Sequence, residues 1–241
     1  MSSDPSNRRF QTTRWSVVVA AGDADSTAGG LALAELCEAY WAPVYAFIRR
    51  TGRSGDDSKD LTQAFFAKLL EKNYVRDARQ ERGRFRSFLL TSVRNFLANE
   101  YDHGQTLKCG GQAVHVSIDV SHEDRQYQYE PVEHETPEHV YERQWALTVI
   151  KTTWARLALR LAGARRQHLL QKLRPFLTGD EPASYGVLAI ELGMSEGALR
   201  VAVHRMRQQF GDCLRELIAE TVVSPDEVAD ELRYLMALVS R

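Results

Sequence analysis

Between residues 185 and 205 two apolar-spaced segments meet at Gly193, a pattern that reads as a helix-turn-helix, with a purely structural helical hairpin as the alternative. Leu188, Leu192, Met194, Leu199 and Ala202 are apolar where two short crossing helices would share a core, and Ala189 is small where they would approach closely. Gly193 stands where a tight turn benefits from positive φ. Ser195 is placed to cap the second helix. On a wheel of about 3.6 residues per turn, Leu199, Ala202, Val203, Met206 and Phe210 fall on one face. The other face shows Gly197, Val201, His204 and Gln208, flanked by Arg200, Arg205 and Arg207. Small residues at the N-terminal end would let it enter a major groove, and the cations beyond could reach phosphates. The candidate duplex contacts are therefore Ser195, Glu196, Gly197, Arg200, Val201, His204, Arg205 and Arg207. Of these, Glu196, Arg200 and His204 are the candidates for base edges.

The rest of the chain reads as helices too, and the expected fold class is all-α. Residues 31–51 place Leu33, Leu36, Tyr40, Val44 and Ile48 at three-to-four spacing, with Pro43 expected to kink or break the run. Asp56 or Asp57 is expected to cap a second helix reaching about residue 74. A third follows Gly83, carries Phe85, Leu89, Val93 and Phe96, and fades near Asp102. Residues 104–136 hold glycines, prolines and acids and read as a linker. Helical spacing returns over about 138–161, 164–177, 184–192 and 196–219, and Ser224-Pro225 opens a tail helix to about 239. The expected organisation is an N-terminal extension (1–29), a three-helix domain (30–103), an acidic linker (104–136), a helix-turn-helix domain (137–220) and a tail helix (221–241).

Charge and cysteine content narrow the classes. The formal net charge of −1 conceals two mildly basic blocks around an acidic middle. Residues 31–102 hold twelve Lys/Arg against ten Asp/Glu, 103–140 two against seven, and 141–221 twelve against eight. Three cysteines without CxxC spacing suit a reducing compartment. There is no signal-peptide pattern at the start and no uninterrupted apolar run long enough to span a bilayer. His103, Cys109, His115 and His122 match no standard zinc spacing, and no nucleotide-loop or hydrolase motif is present. No catalytic residue, metal or other cofactor is expected, and the protein is read as a non-enzyme.

Three runs together resemble the ECF (extracytoplasmic function) group of the sigma-70 family. Residues 197–207 (GALRVAVHRMR) resemble the family's G-T-V-K-S-R-L-H-R-A-R, residues 56–66 (DDSKDLTQAFF) its D-A-E-D-L-T-Q-E-V-F, and residues 83–95 (GRFRSFLLTSVRN) its F-R-x-W-L-x-x-I-A-R-N. The resemblance spans about residues 33–215. It implies a cytoplasmic RNA polymerase sigma factor that directs transcription initiation and has no membrane partner. Its partners would be the RNA polymerase core, promoter DNA and, where one exists, an anti-sigma factor or other regulator. The helix at 57–70 would dock on the β′ coiled coil through Asp57, Asp60, Gln63 and Phe66. The helix at 85–99 and its approach would bind the minus-10 element, with Arg84, Arg86, Arg94, Asn95 and Asn99 facing the melted strand. The last domain would read the minus-35 element.

The match has departures. The basic cluster usual after the third helix is absent, Ala202 replaces a common recognition-helix Arg, and Ala64 stands where an acid is frequent. The alternative is a conventional helix-turn-helix regulator whose N-terminal domain senses a ligand or dimerises. Such a regulator has no need of the run at 57–66.

Overall fold

The computed structural model describes residues 15–22, 27–71, 75, 78, 83–106, 135–161, 163–178 and 184–240. All regular structure among these residues is helical, as the apolar periods require. The helices are α1 (Trp15–Ala21), α2 (Thr27–Arg50), α3 (Gly55–Glu71), α4 (Phe85–Thr106), α5 (Pro137–Arg160), α6 (Ala164–Thr178), α7 (Tyr185–Leu192), α8 (Glu196–Ala219) and α9 (Val228–Val239). Most of the linker expected at 104–136 lies outside the described residues, as do Cys109, His115 and His122.

Local chemistry explains most boundaries, with three departures from expectation. Helix α2 runs through Pro43 without ending. Proline removes one backbone donor at a cost of about 3 kcal/mol. Here Pro43 is itself buried, and the core contacts of Tyr40, Trp41, Val44 and Phe47 around it offset the loss. Helix α3 is capped by Ser54 and by neither aspartate. The Asp57 amide donates to Ser54 Oγ at 3.1 Å, while the Ser54 hydroxyl donates to the Asp57 carboxylate at 2.7 Å. Asp57 therefore sits in the first turn, where its charge meets the positive end of the helix dipole. Helix α4 continues one turn past Asp102, to Thr106.

The described residues fall into two compact bodies whose limits differ from the expected domain limits. The first comprises described residues up to Thr148 together with Ala219 onward, and the second is Val149–Ile218. So the first half of α5 and the whole of α9 belong with α1–α4. The reason is packing that no local pattern announces. Tyr141 and Trp145 of α5 and Leu235 and Leu238 of α9 are buried in the same body as Phe85, Leu89, Val93 and Phe96 of α4. Tyr40 meets Phe85 edge-on at 5.4 Å, Trp41 stacks on Phe66 at 5.7 Å, and Phe47 meets Tyr141 edge-on at 6.4 Å.

By length and mean hydropathy α2 is the one described helix that could cross a bilayer, but 61% of that window is buried within the protein. Its apolar side chains serve as core.

The second body is built on Leu157, Leu173, Phe176, Leu188, Leu199, Val203 and Met206, from α5 to α8. Trp154 and Phe210 close one side, with ring centroids 4.6 Å apart. Arg160 pairs with Glu216 at 3.1 Å and joins α5 to α8 at the surface.

Candidate nucleic-acid interface

Helices α7 and α8 are joined by the turn that the glycine anticipated. Gly193 has φ of +63°, and its amide donates to Ile190 O at 3.1 Å, while the Met194 amide donates to Ala189 O at 2.9 Å. Ser195 Oγ accepts the Ala198 amide at 3.2 Å and so caps α8. Leu199, Val203 and Met206 are buried, which turns Glu196, Gly197, Arg200, Val201, His204 and Arg205 outward. The anticipated wheel matches the observed burial because a helix with one apolar stripe can bury only that stripe.

The exposed cations of α8 differ in freedom. Arg200 donates to Glu196 at 2.6 Å, and its guanidinium lies 4.5 Å over the Tyr185 ring. Tyr185 is in turn held against Phe176, 4.7 Å between centroids. Arg200 is thus fixed in direction before any ligand arrives. Arg207 donates to the Phe176 carbonyl at 2.7 Å, which ties part of its guanidinium to α6. Arg205 is exposed, and no ion pair holds it among the described residues.

In the first body the α4 residues divide. Asn95 and Asn99 are exposed and line a pocket of about 300 Å³ with Phe65, Lys68, Leu69, Phe88, Ser92 and Phe96. Lys68 sits 5.2 Å over the Phe96 ring and 3.6 Å from Glu100. The pocket thus offers aromatic walls, amide and hydroxyl groups and one cation. An unstacked base needs the same combination. Lys68, Phe88 and Ser92 were not anticipated. The signal available was Ser92, Asn95 and Asn99 interleaved with Phe88 and Phe96 at three-to-four spacing on one helix face.

The three arginines assigned to the melted strand stand elsewhere. Arg94 is bonded to Glu138 of α5, whose carboxyl this hydrogen bond holds below its usual range. Arg84 is 2.9 Å from Glu231 of α9. Arg86 is only 4% exposed. It bonds Glu142 at 2.8 Å, is bound through both terminal nitrogens by Glu231, and lies 4.1 Å over the Trp145 ring. Burial works against the Arg86 charge. The hydrogen bond to Glu231 and the charge of Glu142 more than offset it, and its pKa lies above the ordinary arginine value. As placed, Arg86 is an interior ion and faces no solvent.

On α3, Asp57 and Asp60 are exposed and Gln63 is half-buried. Phe66 is 1% exposed and packed between Trp41 and Phe65, so it is a core residue and offers no contact surface.

Residues 36–105 match the family model for Sigma-70 region 2. No curated protein and no solved structure matches the chain significantly. The matched span runs from inside α2 through α3 to the end of α4, which includes the pocket and the Asp57–Asp60 surface. Within the first body, residues 36–105 are therefore similar to Sigma-70 region 2.

Proposed function

We propose that this protein is a cytoplasmic ECF-type sigma factor that recognises a bipartite promoter. The carrying observation is the coincidence of the region 2 match with the Asn95/Asn99 pocket on α4. The first body takes the melted minus-10 strand, with a base in that pocket. Helices α7 and α8 act as a helix-turn-helix on duplex at the minus-35 element, read mainly by Ser195, Glu196, Gly197, Arg200, Val201 and His204. Arg205 and Arg207 contact the DNA backbone. Asp57, Asp60 and Gln63 form the contact to the β′ coiled coil. No cofactor is required for any of these steps.

The deciding experiment is transcription by purified core polymerase on a promoter library with and without the protein. Specific initiation that depends on the protein is expected. A protein that neither associates with core nor prefers any nucleic acid overturns the reading. Dimeric binding to a palindromic duplex without polymerase would favour a conventional regulator instead.

The two outward arginines of α8 should separate in the same system. Arg205→Ala is expected to weaken every duplex alike and lower the salt slope by about one. Arg200→Ala is expected to change base preference, by about 1–3 kcal/mol at one position. Binding isotherms on a small set of duplexes at several salt concentrations check this; equal losses on every sequence from both variants would remove the division of roles.

A further inference from the structure

Every arginine that the sequence assigns to the melted strand is answered by a carboxylate from outside the region 2 span. Arg94 meets Glu138 of α5, Arg84 and Arg86 meet Glu231 of α9, and Arg86 also bonds Glu142 of α5 through Nε, which leaves its two terminal nitrogens to Glu231. Glu231 is wholly buried, an unusual state for a carboxylate on a C-terminal helix. It lies 145 residues along the chain from Arg86.

We propose that α9 is an autoinhibitory latch: it occupies Arg84 and Arg86 and must leave before these two cations can bind the phosphates of single-stranded DNA. The inference rests on the reading of α4 as the strand-binding helix. Three features suit α9 to this role. Its apolar anchors are few, with Leu235 and Leu238 the only buried hydrophobic residues in it. It leaves Tyr234 and Met236 two-fifths or more exposed. It meets α4 and its approach through the Glu231 pairs with Arg84 and Arg86 and the Tyr234 ring 5.4 Å from Arg86, and a buried ion pair adds little net stability because the charges regain water when it opens. A phosphate backbone supplies the same chemistry in place of Glu231, since guanidinium groups bind carboxylates and phosphates through the same paired donors. Glu231 and the DNA strand are therefore competing ligands for one pair of arginines. Competition of this kind is reciprocal, so DNA must loosen α9 to the same degree that α9 weakens DNA.

The test uses the full chain. A labelled single-stranded oligonucleotide is titrated against the wild type, Glu231→Gln and Leu235→Ala, with circular dichroism confirming the fold of each. Glu231→Gln removes the carboxylate shared by Arg84 and the terminal nitrogens of Arg86, which keeps its Nε bond to Glu142, and Leu235→Ala loosens the anchor without touching a charge. Both are expected to bind roughly tenfold more tightly than the wild type, in proportion to the larger open fraction. On the wild type, hydrogen exchange is expected to show the amides of α9 losing protection when the oligonucleotide saturates. This second measurement decides the matter if either variant fails to fold. Wild-type protein that binds the strand while α9 stays fully protected overturns the latch and leaves the strand-binding reading intact. No binding by any folded form overturns that reading, and the latch with it.

Discussion

Phe66→Ala is expected to destabilise the first body by about 3–5 kcal/mol, the range for emptying an aromatic site in a close-packed core. The side chain is 1% exposed, stacks on Trp41 and meets Phe65 edge-on at 5.3 Å, so two aromatic rings lose a neighbour at once. Little nearby can collapse into the space, because Trp41 and Phe65 are themselves buried. Denaturant unfolding followed by hydrogen exchange on α2 and α3 measures the loss. A change below about 1 kcal/mol, the level of an ordinary surface substitution, would show that Phe66 is not core. The consequence for function is direct. Loss of polymerase binding in this variant reports unfolding, so the α3 surface is properly tested through Asp57, Asp60 and Gln63. Reversing the charge at Asp60 together with Gln63→Ala should abolish capture of the core enzyme while leaving the melting curve within about 1 kcal/mol of wild type, whereas a change at Asp57 also removes its bond to Ser54 at the start of α3.

Arg86→Leu should come next in size. It leaves Glu231 in the interior with only the half-exposed Arg84 as a partner. Breaking one side of a buried pair costs about 3–5 kcal/mol, most of it the penalty of an uncompensated charge. That penalty has a ceiling here, because α9 can swing out and return Glu231 to water at the cost of opening two leucine contacts. The loss should therefore appear first as fast exchange in α9 and only then as global unfolding. Arg86→Leu with Glu231→Leu is expected to recover only part of the stability, since Glu231 no longer stands unpaired but Glu142 still loses the partner that it holds at 2.8 Å. A double variant as unstable as the single one would mean that the bond to Glu142 and the stacking on Trp145, 4.1 Å away, carry the stability and not the pair with Glu231.

Helix positions were readable because their causes lie within a few residues. Leu199, Val203 and Met206 recur at the helical period, Gly193 supplies a left-handed turn and Ser195 a cap, and each does in the structure what its neighbours require. The outward set on α8 followed from the same arithmetic, since burying one stripe determines the other. The pocket on α4 was half readable: Asn95 and Asn99 were anticipated, but part of its wall comes from α3, and no period on α4 can announce Phe65 or Lys68.

Local patterns thus determined which segments are helices, where α7 ends and α8 begins, and which face of α8 points outward, because hydrogen bonds, caps and apolar stripes act over three or four residues. Tertiary structure alone decided that Phe66 is core and not contact, that α2 continues through Pro43, and that Arg84 and Arg86 are held by a carboxylate near the far end of the chain. An arginine carries the same charge wherever it stands. Whether that charge meets water, a phosphate or Glu231 depends on which helices pack over it, and that depends on the whole core.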